Sequence, residues 1–189
     1  MKTKLLQVLA LVLVLGNSVY GQQKENTDLL KIIFTHYYKN EKIIVKNRLQ
    51  LLRFYCKKAP NNEEVLEVIS KSDLLKRNDV EIKNQIKSGA EEDWSEEYNA
   101  LFLNQNQYLK RKVNDCISLE DFKVIADKQQ ENNLRLMILS KPIYFSHGNY
   151  ALVKVAFYRT IEHNNGSYIL FEKRDGQWII IDHLNEWAT

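Results

Sequence analysis

Residues 140–187, SKPIYFSHGNYALVKVAFYRTIEHNNGSYILFEKRDGQWIIIDHLNEW, alternate apolar runs with turn signals, and this stretch decides the fold. His147-Gly148-Asn149, Asn164-Asn165-Gly166 and Asp175-Gly176 supply three turns. Between them lie strand-like segments with the two-residue period of a pleated chain. Tyr150 to Arg159 is the longest, with Ala151, Val153, Val155 and Phe157 on one face and Tyr150, Leu152, Lys154, Ala156 and Tyr158 on the other. Ser167–Lys173 returns, and Gln177–Leu184 closes a β-meander that begins with the strand-like Leu134–Leu139. Pro142 fits only a strand start or an edge.

Asp175-Gly176 is the tightest hairpin signal. A two-residue loop sets Phe171 opposite Ile180, whereas a type I turn with a glycine bulge sets Phe171 opposite Ile179 and reverses the last strand's alternation. The sequence leaves both registers open. Either way, both faces of the meander are largely apolar, so helices must cover one side and something further the other.

Working outward, the preceding half reads as helical. Thr27 suits an N-cap for a helix to about Tyr38, with Gln22–Asn26 as a frayed polar lead-in. Ile43–Val45 reads as a short strand, and Leu49–Tyr55 as a buried helix stopped before Pro60. Asn61 or Asn62 caps the next helix, with Glu63 and Glu64 in its first turn. Further helical stretches open at Asp73 and Asp79, and Ser88-Gly89 stops the last of them. Residues 90–115 give no clear pattern. Ser118 and Asp121 form a capping box for a helix from about Leu119 to Asn132. The fold class expected is α+β, a helical N-terminal part packed on a C-terminal antiparallel meander of about four strands.

Lys2 and Lys4 precede an apolar run from Leu5 to Leu15 and the small-residue stretch GNSVYG, the order of a secretory leader cut after Gly21. The run falls well short of the ~20 residues that cross a bilayer, and no cysteine follows it to carry a lipid. The expected organisation is a signal peptide over 1–21 and a single domain over 22–189, secreted or periplasmic, with no stable membrane anchor. Taking two lysines from the 27 basic residues leaves 25 against 24 acidic ones. That near-neutral balance gives no field to attract nucleic acid. Cys56 and Cys116 either pair in the oxidising compartment or stand as two buried thiols.

No GxSxG, HExxH or P-loop is present, and no cofactor or metal ligand set is expected. The weak catalytic candidates are His183, Glu172 and Asp182. Asp182 and His183 point to opposite faces of a regular strand, so His183 with Glu172 is the pair to inspect. The aromatic surplus nominates Tyr158, Trp178 and Trp187 as binding residues, because Tyr and Trp bind well when partly exposed. Trp187 is either a plug sealing the sheet or an exposed anchor, and the plug is the expectation. Asn165-Gly166-Ser167 reads as turn chemistry rather than a glycan acceptor, and Lys110-Arg111-Lys112 as a solvated helix face.

The series Ser140-Lys141-Pro142-Ile143, Gly148-Asn149-Tyr150-Ala151-Leu152-Val153 and Asp175-Gly176-Gln177-Trp178 resembles the tail of a group of small exported bacterial proteins. That resemblance implies export and brings no activity with it. More loosely, the final strands with Asp175-Gly176-Gln177-Trp178 resemble the cone-shaped domains typified by nuclear transport factor 2 and the SnoaL-like enzymes, although the helical half departs from their pattern. Two functions follow as expectations. The first is a non-enzymatic exported domain that binds a protein or a small apolar ligand through its sheet face. The alternative is a cone-shaped enzyme with a polar pair in a sheet pocket.

Overall fold

The computed structural model describes residues 21–39, 44–45, 48–49, 52–86, 92–103, 113–129, 134–158 and 164–189. Residues 1–20 of the leader, the stop at Ser88-Gly89 and the basic run at Lys110 fall outside the described residues. Helix α1 covers residues 21–38. It is already formed at residue 21, so Thr27 is no cap; its hydroxyl donates to the Gln23 carbonyl one turn back at 2.9 Å. The lead-in expected to fray is helical because Glu25 and Asn26 find partners far along the chain.

Strands β1 (Ile44–Val45) and β2 (Arg48–Leu49) pair antiparallel. Strand β3 (Leu52–Tyr55) replaces the helix expected over Leu49–Tyr55. It lies parallel between β4 (Val113–Ile117) and β5 (Arg135–Leu139), with Leu52 opposite both Val113 and Arg135. A strand buried on both faces reads as an unbroken apolar run, which period alone does not separate from a buried helix.

Helix α2 (Glu64–Ser70) has Glu63 at its N-cap position rather than Asn61 or Asn62, and α3 (Asp73–Arg77) and α4 (Asp79–Ile86) start where the sequence places them. The Asn62 side chain accepts the Glu64 amide at 3.3 Å. Helix α5 (Ser95–Leu103) and β4 emerge from the stretch that showed no pattern. Helix α6 (Leu119–Gln129) carries the Ser118 half of the capping box: Ser118 Oγ accepts the Asp121 amide at 3.0 Å, and its hydroxyl donates to the Asp121 carboxylate at 2.7 Å. Then come β6 (Ile143–Phe145), β7 (Tyr150–Tyr158), β8 (Asn165–Arg174) and β9 (Gln177–Ala188).

The protein is α+β, with a seven-stranded mixed sheet of order β4-β3-β5-β7-β8-β9 and β6 beside β7. The meander is its antiparallel part, and β3 and β4 extend it with parallel strands from the helical half. One face carries Met137, Leu139, Val153, Val155, Ile169 and Phe171 against Leu29, Ile33 and Phe34 of α1 and Leu101 of α5. The opposite face carries Ile143, Phe145, Leu152, Tyr168 and Leu170 against Val65, Val68 and Ile69 of α2, Leu75 of α3 and Ile82 of α4. Phe122 of α6 closes a third cluster with Leu134 and Leu136. The chain's own helices therefore fill both sides of the meander, and aromatic residues occur on both faces because there are two cores to fill.

Cys56 and Cys116 form a disulfide with Cα atoms 5.0 Å apart, tying the end of β3 to β4. At the final hairpin, Asp175 (φ 50°) and Gly176 (φ 76°) both occupy the left-handed region. That is a two-residue turn of the kind favoured in hairpins, and Phe171 lies opposite Ile180.

Candidate functional site

The last strand is not regular. Phe171 faces Ile180 but Leu170 faces Asp182, so Ile181 is an extra residue without a partner on β8. A second shift sets Gly166 opposite Trp187 and Tyr168 opposite Leu184, with Asn185 at φ 52° between them. Each bulge inverts the alternation beyond it. Trp178 and Ile180 share the α1 face with Phe171; past the first bulge His183 joins that face opposite Ile169, while Asp182 goes to the other face opposite Leu170.

A groove of about 700 Å³ opens between α1 and the start of β9, lined by Asp28, Lys31, Ile32, Thr35 and His36 on the helix and by residues 176–180 on the strand. Trp178 anchors its floor. The indole is only 6 % exposed, its Nε1 donates to the Glu25 carboxylate, and Lys173 Nζ pairs with the same carboxylate. Arg174 and Gln177 close the two-residue loop as a hydrogen-bonded pair. Antiparallel ladders alternate, so the amides and carbonyls of Trp178 and Ile180 turn away from β8. Among the described residues β9 is the sheet's edge on that side.

His36 and His183 meet beside the groove, their ring centroids 5.1 Å apart and planes inclined by 30°. Burial, and then the neighbouring His183, push the His36 imidazole below its ordinary pKa. The edge-on ring of Tyr37 completes the cluster at 4.9 Å from His36.

The sequence candidates separate. Glu172 accepts the Tyr150 hydroxyl at 3.1 Å and pairs with Arg174, on the face opposite to His183. Asp182 is exposed and takes the His183 backbone amide at 2.8 Å. Glu172, Asp182 and His183 thus converge on no common cavity. Among the binding candidates, Trp178 is buried under α1, Tyr158 packs edge-on to Phe122 at 5.8 Å, and Trp187 is half-buried over Gly166.

One polar cluster has no local signature at all. Glu97, 4 % exposed, accepts Lys58 Nζ at 2.8 Å and Asn26 Nδ2 at 2.9 Å. The Tyr144 hydroxyl donates to Asn26 Oδ1 at 2.7 Å, and Lys58 Nζ sits 4.8 Å over the Trp94 ring. Lys58 also reaches Glu92, which pairs with Lys141 as well. Burial pushes the Glu92 carboxyl up, but hydrogen bonds and charge from Lys141 and Lys58 outweigh it and leave its pKa lowered. Burial, helped by Glu25, Glu97 and Asp28, drives the Tyr144 phenol far up and keeps it a donor. Every charge in this cluster is matched, so it joins α1, the Lys58 segment and the start of α5.

Among the described residues no helix is long and apolar enough to cross a membrane, and no group of three or more His, Cys, Asp or Glu side chains is placed to hold a metal ion. No family model, curated protein or solved structure matches the chain.

Proposed function

We propose that this is an exported, non-enzymatic binding domain whose contact surface is the groove between α1 and β9 rather than a face of the sheet. The single observation that carries the reading is the outward backbone of Trp178 and Ile180 on an edge strand that also forms one wall of that groove. Such an edge receives an extended polypeptide as an added strand, with main-chain hydrogen bonds for affinity and the groove for side-chain choice. Its walls hold one acid, Asp28, and one base, Lys31, beside Ile32 and Ile180, which suits a neutral, apolar segment. The Ile181 bulge ends the regular part of the edge, so the added strand spans about four residues. Export rests on the leader-like first residues and on the resemblance to exported proteins. The disulfide is compatible with it. The separation of Glu172, Asp182 and His183 favours binding over the cone-shaped enzyme.

The test is selection from a displayed library of unstructured peptides on the mature chain. Selected peptides should lose at least tenfold in affinity on Ile180→Pro, which removes an outward donor without touching the ladder to β8. They should also slow amide exchange at Trp178 and Ile180. Failure to select any peptide, or selected peptides indifferent to Ile180→Pro, refutes the reading. Displacement of the peptides by small apolar compounds would assign the groove to a ligand instead.

A further inference from the structure

We propose that His36 and His183 form a two-histidine site for a first-row divalent transition metal, of which Zn²⁺ is the natural probe. The two rings come from elements 147 positions apart in sequence, α1 and β9, and meet with centroids 5.1 Å apart. Zinc–imidazole bonds of about 2.0–2.1 Å at a tetrahedral ion put two ring centroids roughly 5 Å apart. The centroid spacing found matches that value, and the rings, inclined by 30°, would turn about their side-chain torsions to aim one nitrogen each at the ion.

The Ile181 bulge is what makes the meeting possible. Without it, His183 would fall on the face away from α1, because Trp178 and Ile180 already hold the alternation on the α1 side. Bulges commonly serve to re-aim one side chain in this way. A neutral imidazole is the form that binds metal. His36 also lines the open groove, so the remaining coordination positions are accessible to water or to a donor from a bound molecule. Asp182 is spent on the His183 backbone amide and lies on the other face, which leaves the two imidazoles as the ligands proposed among the described residues. Imidazole nitrogen suits zinc, copper and nickel over magnesium or calcium.

The experiment is thermal unfolding of the mature chain at pH 7.5 in EDTA and then in up to 1 mM ZnCl₂, with calorimetric titration for stoichiometry. Zinc should bind one to one and raise Tm with the logarithm of its free concentration, by on the order of 5 °C at a hundredfold excess over Kd. His36→Ala and His183→Ala should each abolish the shift, while His147→Ala, a turn histidine, should keep it. MgCl₂ should give none, and the zinc shift should shrink at pH 5.5, where protons compete for the rings. Should either alanine variant unfold, His36→Gln and His183→Asn replace them. An absent zinc shift, or one that survives loss of either histidine, overturns the site.

Discussion

Trp187 occupies the space that a side chain at position 166 would need. A Cβ placed on Gly166 would lie 2.8 Å from Trp187 Cζ2 and 2.7 Å from the Val155 carbonyl oxygen. The glycine and the indole are cross-strand partners, and the aromatic ring covers the gap a glycine leaves in a sheet.

Gly166→Ala should destabilise the protein by about 1–3 kcal/mol through overpacking. Adding Trp187→Ala should recover only part of that loss, because the Val155 carbonyl remains in the way. A double-mutant cycle in urea measures the coupling.

Lys58→Met should cost about 3–5 kcal/mol, since it leaves the Glu97 carboxylate buried without its cation. Combining it with Glu97→Gln should restore most of the stability, because Asn26 and a neutral amide can still hydrogen-bond. Chemical denaturation of the three variants checks the order.

Removing the disulfide by Cys56→Ser with Cys116→Ser should cost about 4 kcal/mol on the chain-entropy model, given the 60-residue separation. Reductant should lower Tm of the native chain by the same amount and leave the double variant unmoved.

The depressed pKa of His36 makes stability pH-dependent with a definite sign. Above the unfolded value of 6.5 the ring is neutral in both states and its contribution is intact. As pH falls below that value the unfolded chain takes up the proton first, so stability drops until the folded-state pKa is passed. In EDTA, Tm should fall between pH 7 and 5.5, and His36→Gln should flatten that part of the curve.

Much of the meander was legible because its signals are local. Asp175-Gly176 fixed a hairpin, Ser118 and Asp121 capped a helix, and the alternation of β7 named its faces. Leu52–Tyr55 was misread because its neighbours in the sheet lie some 60 and 80 residues onward, and a short apolar run does not reveal which partners it will find. Gln22–Asn26 looked frayed because the groups that hold it, Glu97 and Trp178, are 71 and 153 positions away. The two histidines were visible individually. Their meeting depends on one extra residue at Ile181, which no two-residue pattern contains.

The place of β3 between β4 and β5 also sets the timetable on which the chain acquires its shape. Synthesis delivers α1 and β3 early, yet β5 comes some 80 residues later and the indole that takes the Glu25 carboxylate comes 153 residues after it. Contacts so distant in sequence form slowly. Until the last hairpin leaves the ribosome, the core over α1 lacks Ile169, Phe171 and Trp178. The core over α1 is therefore completed only by the last residues to be made.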